Sequence, residues 1–140
     1  MNKGKYLAID YGDKRVGIAL SDYNKEIAFP RDFLEYSGES NLLKQLKKIC
    51  KEEDVIKIIL GLPIQMDGTF GERAQKTQKF FDKLKKAMPQ MSIDFFDERL
   101  STEFAVKSLR GQGFKAKDQK GKRDALSAQI ILQNYLNSLR

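Results

Sequence analysis

Apolar residues fall into short runs separated by turn residues, and the period of those runs changes along the chain. Tyr6-Leu7-Ala8-Ile9 stops at Asp10, the turn-prone Gly12-Asp13-Lys14 follows, and Val16-Gly17-Ile18-Ala19-Leu20 resumes the run. That pattern predicts a β-hairpin. A third strand is expected within residues 26–34, its boundary blurred by Pro30. From Ser40 to Glu53 the period lengthens: Leu42, Leu43, Leu46 and Ile49 recur every three or four residues, an amphipathic helix with Ser40 or Asn41 as its expected N-cap. Val55 to Leu60 is mostly apolar, as in a strand covered on both faces, and Gly61-Leu62-Pro63 ends it. A glycine-containing loop through Gly71 leads to a helix predicted from about Glu72 to Ala87. Ser92 to Phe96 is the next strand and runs into Asp97-Glu98-Arg99. Ser101 or Thr102 can cap a further helix that stops near Gly111 and Gly113. A basic loop then precedes the last helix, Arg123 to Leu139, whose Ala128, Ile131, Leu132, Tyr135, Leu136 and Leu139 form one apolar stripe.

The order β-β-β-α-β-α-β-α-α is a meander followed by βαβ units, which predicts an α/β fold with a five-stranded mixed sheet flanked by helices. At 140 residues the chain suits one domain, expected over 1–140. No apolar stretch approaches the ~20 residues of a membrane span, and the first residues run from lysines straight into a strand without a signal-peptide core. The expectation is a cytoplasmic protein with no membrane partner.

Composition narrows the chemistry. There is no histidine and one cysteine, Cys50, which removes most zinc sites and the Cys–His and Ser–His nucleophilic pairings. What remains is carboxylate, hydroxyl, Lys, Arg or Tyr chemistry, or a hard metal ion. Carboxylate oxygens suit Mg²⁺ or Mn²⁺, weakly bound. The formal net charge is +7, and residues 107–123 hold seven basic residues against the single acid Asp118. Such a patch is either a solvated loop or a polyanion contact. Its direct lead into Asp124 favours a nucleic-acid partner held by Lys115, Lys117, Lys120, Lys122 and Arg123. Whether the chain pairs as a homodimer is left open by these residues.

Three acids stand where chemistry would sit. Asp10 falls where the first strand's apolar residues stop, at its C-terminal end, the edge where α/β sheets place ligands; a turn-forming aspartate is the bland alternative. Asp97 and Glu98 follow the strand expected to lie parallel to the first. Side chains alternate across a sheet, so at most one of the two faces Asp10's cleft. Glu98 is the choice because its longer side chain spans more of the ~10 Å that one intervening strand imposes. Asp124 lies four residues before Ala128 and seven before Ile131, on the buried stripe although charged; a helix-dipole acid is its bland reading. Three carboxylates converging on one edge are what two-metal phosphodiester hydrolysis requires.

Four motifs, in order, then resemble one family across nearly the whole chain. These are Ile9-Asp10-Tyr11-Gly12-Asp13-Lys14-Arg15-Val16-Gly17 with Ser21-Asp22, Gly61-Leu62-Pro63 with Asp67-Gly68-Thr69, Asp97-Glu98-Arg99-Leu100-Ser101-Thr102, and Lys122-Arg123-Asp124 through Ile131-Leu132-Gln133-Asn134-Tyr135-Leu136. They resemble the YqgF family, also described as Holliday junction resolvases. The resemblance implies a ribonuclease-H-like fold and a nuclease that processes the 5′ end of pre-16S ribosomal RNA, with resolution of branched DNA as the alternative substrate. It places the acidic triad on Asp10, Glu98 and Asp124, with Lys14, Arg15 and Arg99 as phosphate contacts beside the metals. Ser127 stands where the family pattern has a small alanine. Two rivals belong to other classes: a phosphate loop of the sugar-kinase and actin-like ATPase type, which needs two such domains, and a non-catalytic nucleic-acid-binding module, which would tolerate loss of Asp124.

Overall fold

The computed structural model describes residues 3–98 and 119–139, without the side chains of Asp32 and residues 119–125. Five strands, β1 (Lys5–Asp10), β2 (Arg15–Ser21), β3 (Ala28–Glu35), β4 (Val55–Leu62) and β5 (Ser92–Asp97), form one sheet in the order β3-β2-β1-β4-β5. The first three strands are an antiparallel meander, and β4 and β5 run parallel to β1. The expected mixed sheet is therefore present, and one strand, β4, separates Asp10 from the end of β5.

Alternation assigns the two faces. Leu7, Ile9, Ile58, Leu60 and Ile93 point to one side, where α1 (Glu39–Glu52) and α2 (Glu72–Ala87) bury Leu42, Leu46, Phe80 and Leu84 against them. Tyr6, Ala8, Ala19, Ile59 and Phe96 point to the other, where α3 (Gln119–Ser138) packs Ala128, Ile131, Leu132 and Leu136. Small side chains on β1 and β2 beneath α3 let the helix approach closely. Its Gln129 and Gln133 amides pin it to the backbone of Ala28 and Glu26.

Several boundaries differ from the sequence reading. β3 runs through Pro30 because it is an edge strand and the ladder shifts register opposite Ile18 and Ala19, a place that tolerates the missing N–H. α1 begins at Glu39 behind Gly38, whose φ of 105° suits glycine; Ser40 and Asn41 already lie inside the helix and cap nothing at its start. α3 begins at Gln119, four residues before the expected Arg123, so Lys120 and Lys122 sit on helix rather than loop. Gly121 costs a helix about 1 kcal/mol relative to alanine, which does not stop it here. The helix expected after Ser101 or Thr102 lies outside the described residues. Among the described residues, no helix is long and apolar enough to cross a membrane.

Candidate metal centre

Asp10 is the last residue of β1 and shares the face of Tyr6 and Ala8, the side covered by α3. Glu98 follows β5 directly, in register with Asp94 and Phe96 on that same face. Asp97 has the opposite parity. Glu98 is thus the acid brought to Asp10, and the deciding factor is the face it occupies as much as its length.

The side chain of Glu98 has to cross β4 to get there, and Gly61 lets it. A Cβ at Gly61 would stand 3.0 Å from Glu98 Cγ, 3.1 Å from Glu98 Cδ and 2.6 Å from Ile131 Cδ1. Glycine here leaves a notch in the sheet surface through which Glu98 reaches over the middle strand while Ile131 of α3 closes above it. The sequence reading took Gly61 as the end of a strand; the available signal was a glycine interrupting an apolar run that resumes at Leu62, the mark of close approach by another group.

In the notch the two carboxyls are pressed together. Glu98 has a side-chain hydrogen bond with Asp10, and burial, then the charge of Asp10, push its carboxyl well above the ordinary carboxylate range, with Arg73 pulling the other way. The buried atoms Asp10 Oδ1 and Glu98 Oε2 accept no hydrogen bond from the described residues. Two like charges held in contact out of water are costly unless they share a proton or a cation. A pair of buried hard-oxygen donors with no histidine or cysteine beside it among the described residues suits Mg²⁺ or Mn²⁺ better than zinc, whose sites draw mainly on nitrogen and sulfur.

The third expected ligand is placed by its backbone alone. Asp124 lies in α3, two turns before Ile131 and in helical register with it and with Ala128. The helix passes over Gly61 at Ile131 and reaches Asp94 one turn later through Tyr135, so the turns before Ile131 lead toward the Asp10 edge. Among the described residues, no third His, Cys, Asp or Glu joins the pair in one metal-sized group.

Of the expected phosphate contacts, Lys14 is exposed on the turn that follows Asp10, and Arg15 opens β2 with its guanidinium 5.9 Å over the Phe33 ring. That turn is tight: a Cβ on Gly12 would meet the Arg15 carbonyl oxygen at 2.5 Å. Arg99, Lys115 and Lys117 lie outside the described residues; Lys120, Lys122 and Arg123 are placed on the first turns of α3. Arg73, missed in the sequence, lines a cleft of about 500 Å³ together with Glu98, Pro63, Ile64 and Gln65. In the loop that follows Met66, Thr69 donates from its N–H and its Oγ1 to Asp67 Oδ1 at 2.9 and 2.6 Å.

Comparison with known proteins bears on the family and the fold. The model of the family described as "RuvX: Holliday junction resolvase" matches residues 4–138. A Chloroflexus aurantiacus protein named "Putative pre-16S rRNA nuclease" is 35% identical over 140 residues, all of this chain and 91% of the relative. A Clostridioides difficile protein of the same name is 39% identical over 137 residues, 98% of this chain and 96% of the relative. Among solved structures, Thermus thermophilus RuvC in complex with a Holliday junction substrate superposes with a TM-score of 0.65 at 10% identity, covering 97% of this chain and 95% of that one. The fowlpox virus Holliday junction resolvase gives 0.58 at 10% identity, with 97% and 99% covered. At that identity the two structures show the fold, the ribonuclease-H-like sheet expected from the motifs.

Proposed function

The chain belongs to the RuvX family of Holliday junction resolvases, and on that premise we propose that the Asp10–Glu98 notch is the catalytic centre of a nuclease that hydrolyses phosphodiester bonds in structured nucleic acid with a divalent metal. The observation that carries this reading is the buried contact between two carboxyls across Gly61, an arrangement that costs stability and that a cation relieves. Asp10 and Glu98 hold Mg²⁺ or Mn²⁺, and Asp124, arriving on α3, completes the set. The bound ion supplies neutralisation of phosphate charge and acidification of water for attack.

The chain's own cations then position the substrate. Lys14 stands on the turn after Asp10 with Arg15 at the start of β2, and Arg73 stands beside Glu98, so a phosphate at the notch meets positive charge from both flanks. Arg99 and the basic residues of 107–123 extend that contact along the strand. Pre-16S ribosomal RNA is the favoured substrate, because relatives 35–39% identical over nearly their whole length carry that name; four-way DNA is the second reading, supported by the family description.

Single-turnover cleavage of a pre-16S RNA fragment and of a four-way DNA junction, each with Mg²⁺ and Mn²⁺, tests both. The reading expects RNA cleavage that disappears in Asp10→Asn and Asp124→Asn while binding persists. Binding without metal-dependent cleavage of either substrate would leave a non-catalytic module.

A further inference from the structure

Counted along the sequence, almost all excess positive charge belongs to residues 107–123, and the rest of the chain is nearly balanced. Folding divides that balance unevenly. α1 and α2, which lie side by side on the sheet face opposite α3, hold ten basic residues and four acids, while the remaining chain outside 107–123 holds nine basic residues and fourteen acids. α2 alone has six cations and two acids.

Within α2 the cations are ordered. Arg73, Lys76, Lys79, Lys83 and Lys86 recur at spacings of three and four residues, and all five are exposed, so they form one ridge along the solvent side of the helix. The buried side of the same helix is Ala74, Thr77, Phe80 and Leu84. Thirteen steps of ~1.5 Å from Arg73 to Lys86 make the ridge about 20 Å long. It starts beside the proposed catalytic centre, because Arg73 lines the cleft with Glu98. Its second member touches the turn that carries Lys14: Lys76 Nζ lies 3.6 Å from Asp13 Oδ1 and 3.4 Å from Glu72 Oε1. Lys83 pairs with Glu39 of α1. Lys79 and Lys86 make no ion pair among the described residues.

We propose that this ridge is a second phosphate-contact surface, along which the backbone of a nucleic-acid duplex leaves the catalytic cleft on the side of the sheet opposite α3. A solvated helix face needs no particular alignment; a row of five aligned cations, about 20 Å long and continuous with the cleft, two of which, Lys79 and Lys86, make no ion pair among the described residues, matches a polyanion bearing one charge per ~1.7 Å of duplex axis. The inference rests on the nuclease reading for its starting point but is measured by binding alone.

The deciding experiment is equilibrium binding by fluorescence anisotropy without metal, over a range of salt concentrations. It uses one duplex longer than the ridge and one too short to reach Lys86 from the cleft. The proteins are wild type, Lys79→Gln/Lys86→Gln and Lys79→Arg/Lys86→Arg. On the long duplex the Gln pair should flatten the log–log salt slope by about 2, at ~0.9 per lost phosphate contact, and the Arg pair should restore it. On the short duplex, which can reach Lys79 but not Lys86, the Gln pair should flatten the slope by only about 1, at ~0.9 per lost phosphate contact. An unchanged slope on the long duplex overturns the proposal, and so does equal flattening on both, which would mean a diffuse charge effect. If wild-type protein shows the expected slopes yet cleaves nothing with Mg²⁺ or Mn²⁺, the ridge stands and the nuclease reading fails.

Discussion

Asp94 lies near the start of β5 and Glu98 follows its end; both face α3, and their surroundings differ sharply. Asp94 Oδ2 lies 3.0 Å from Lys57 Nζ and accepts a hydrogen bond from Tyr135 Oη at 2.9 Å. Lys57 in turn sits over the rings of Tyr6 and Tyr135. The Lys57 contact, helped by Tyr135, holds the Asp94 carboxyl below its ordinary range. Glu98 is more deeply buried and is given another carboxyl. One end of the helix–sheet interface pairs a carboxylate with a cation; the other presses two carboxyls together, a contact that on the proposed reading a bound cation relieves. An element that is consistent at one end and frustrated at the other marks the frustrated end as functional.

The largest effect should come from removing the frustration. Glu98→Gln deletes the charge while keeping size and hydrogen-bonding capacity, so metal-dependent cleavage should fall by orders of magnitude. Thermal melting of the metal-free protein at neutral pH should rise. Asp124→Asn should likewise abolish cleavage with binding retained and melting unchanged or slightly raised. A destabilised but active Asp124→Asn protein would mark that residue as a helix-start acid worth only ~0.3–1 kcal/mol and remove it from the centre.

Next in size is the notch. Gly61→Ala drives a methyl into Ile131 and Glu98. Overpacking of this kind costs about 1–3 kcal/mol, and displacement of Glu98 should lower cleavage as well. Chemical denaturation and single-turnover rates measured on the same sample would show both losses together.

The pH dependence separates the two ends by sign. A carboxyl raised in the folded state binds its proton more tightly there than in the unfolded chain. The Glu98 contribution is therefore most favourable below the ordinary carboxylate pKa of about 4.5 and declines as pH rises toward its shifted value. Metal-free wild type should lose stability over that rise, and Glu98→Gln should lose less; equal slopes for the two proteins would show that Glu98 is not held protonated. Asp94, depressed, acts in reverse: its contribution is present above the ordinary carboxylate range and fades as pH falls through its lowered value. At a side chain nearly half exposed it is worth under about 1 kcal/mol.

The smallest effect belongs to the satisfied end. Tyr135→Phe removes one hydrogen bond to Asp94 and should cost about 0.5–1.5 kcal/mol with cleavage intact. A marked loss of cleavage would show that the two ends are coupled through α3, against the separation drawn here.

Short-range periodicity, which needs only the neighbours of each residue, was enough to locate β1, β2, α1, β4, α2 and β5 to within a residue or two at most ends, and with them the α/β order. It also placed Asp10 and Glu98 at the same sheet edge, because strand direction follows from the order of elements. Three things were settled only when the chain folded. Parity along β5 put Glu98 rather than Asp97 on the α3 face. Gly61 became a passage because a side chain from one strand and a helix from beyond the sheet both crowd its Cα. The α1–α2 face became basic because folding gathers two helices into one layer and sends the compensating acids elsewhere, a separation that a linear count averages away. Each depends on residues tens of positions apart meeting in space, and no local pattern carries that information.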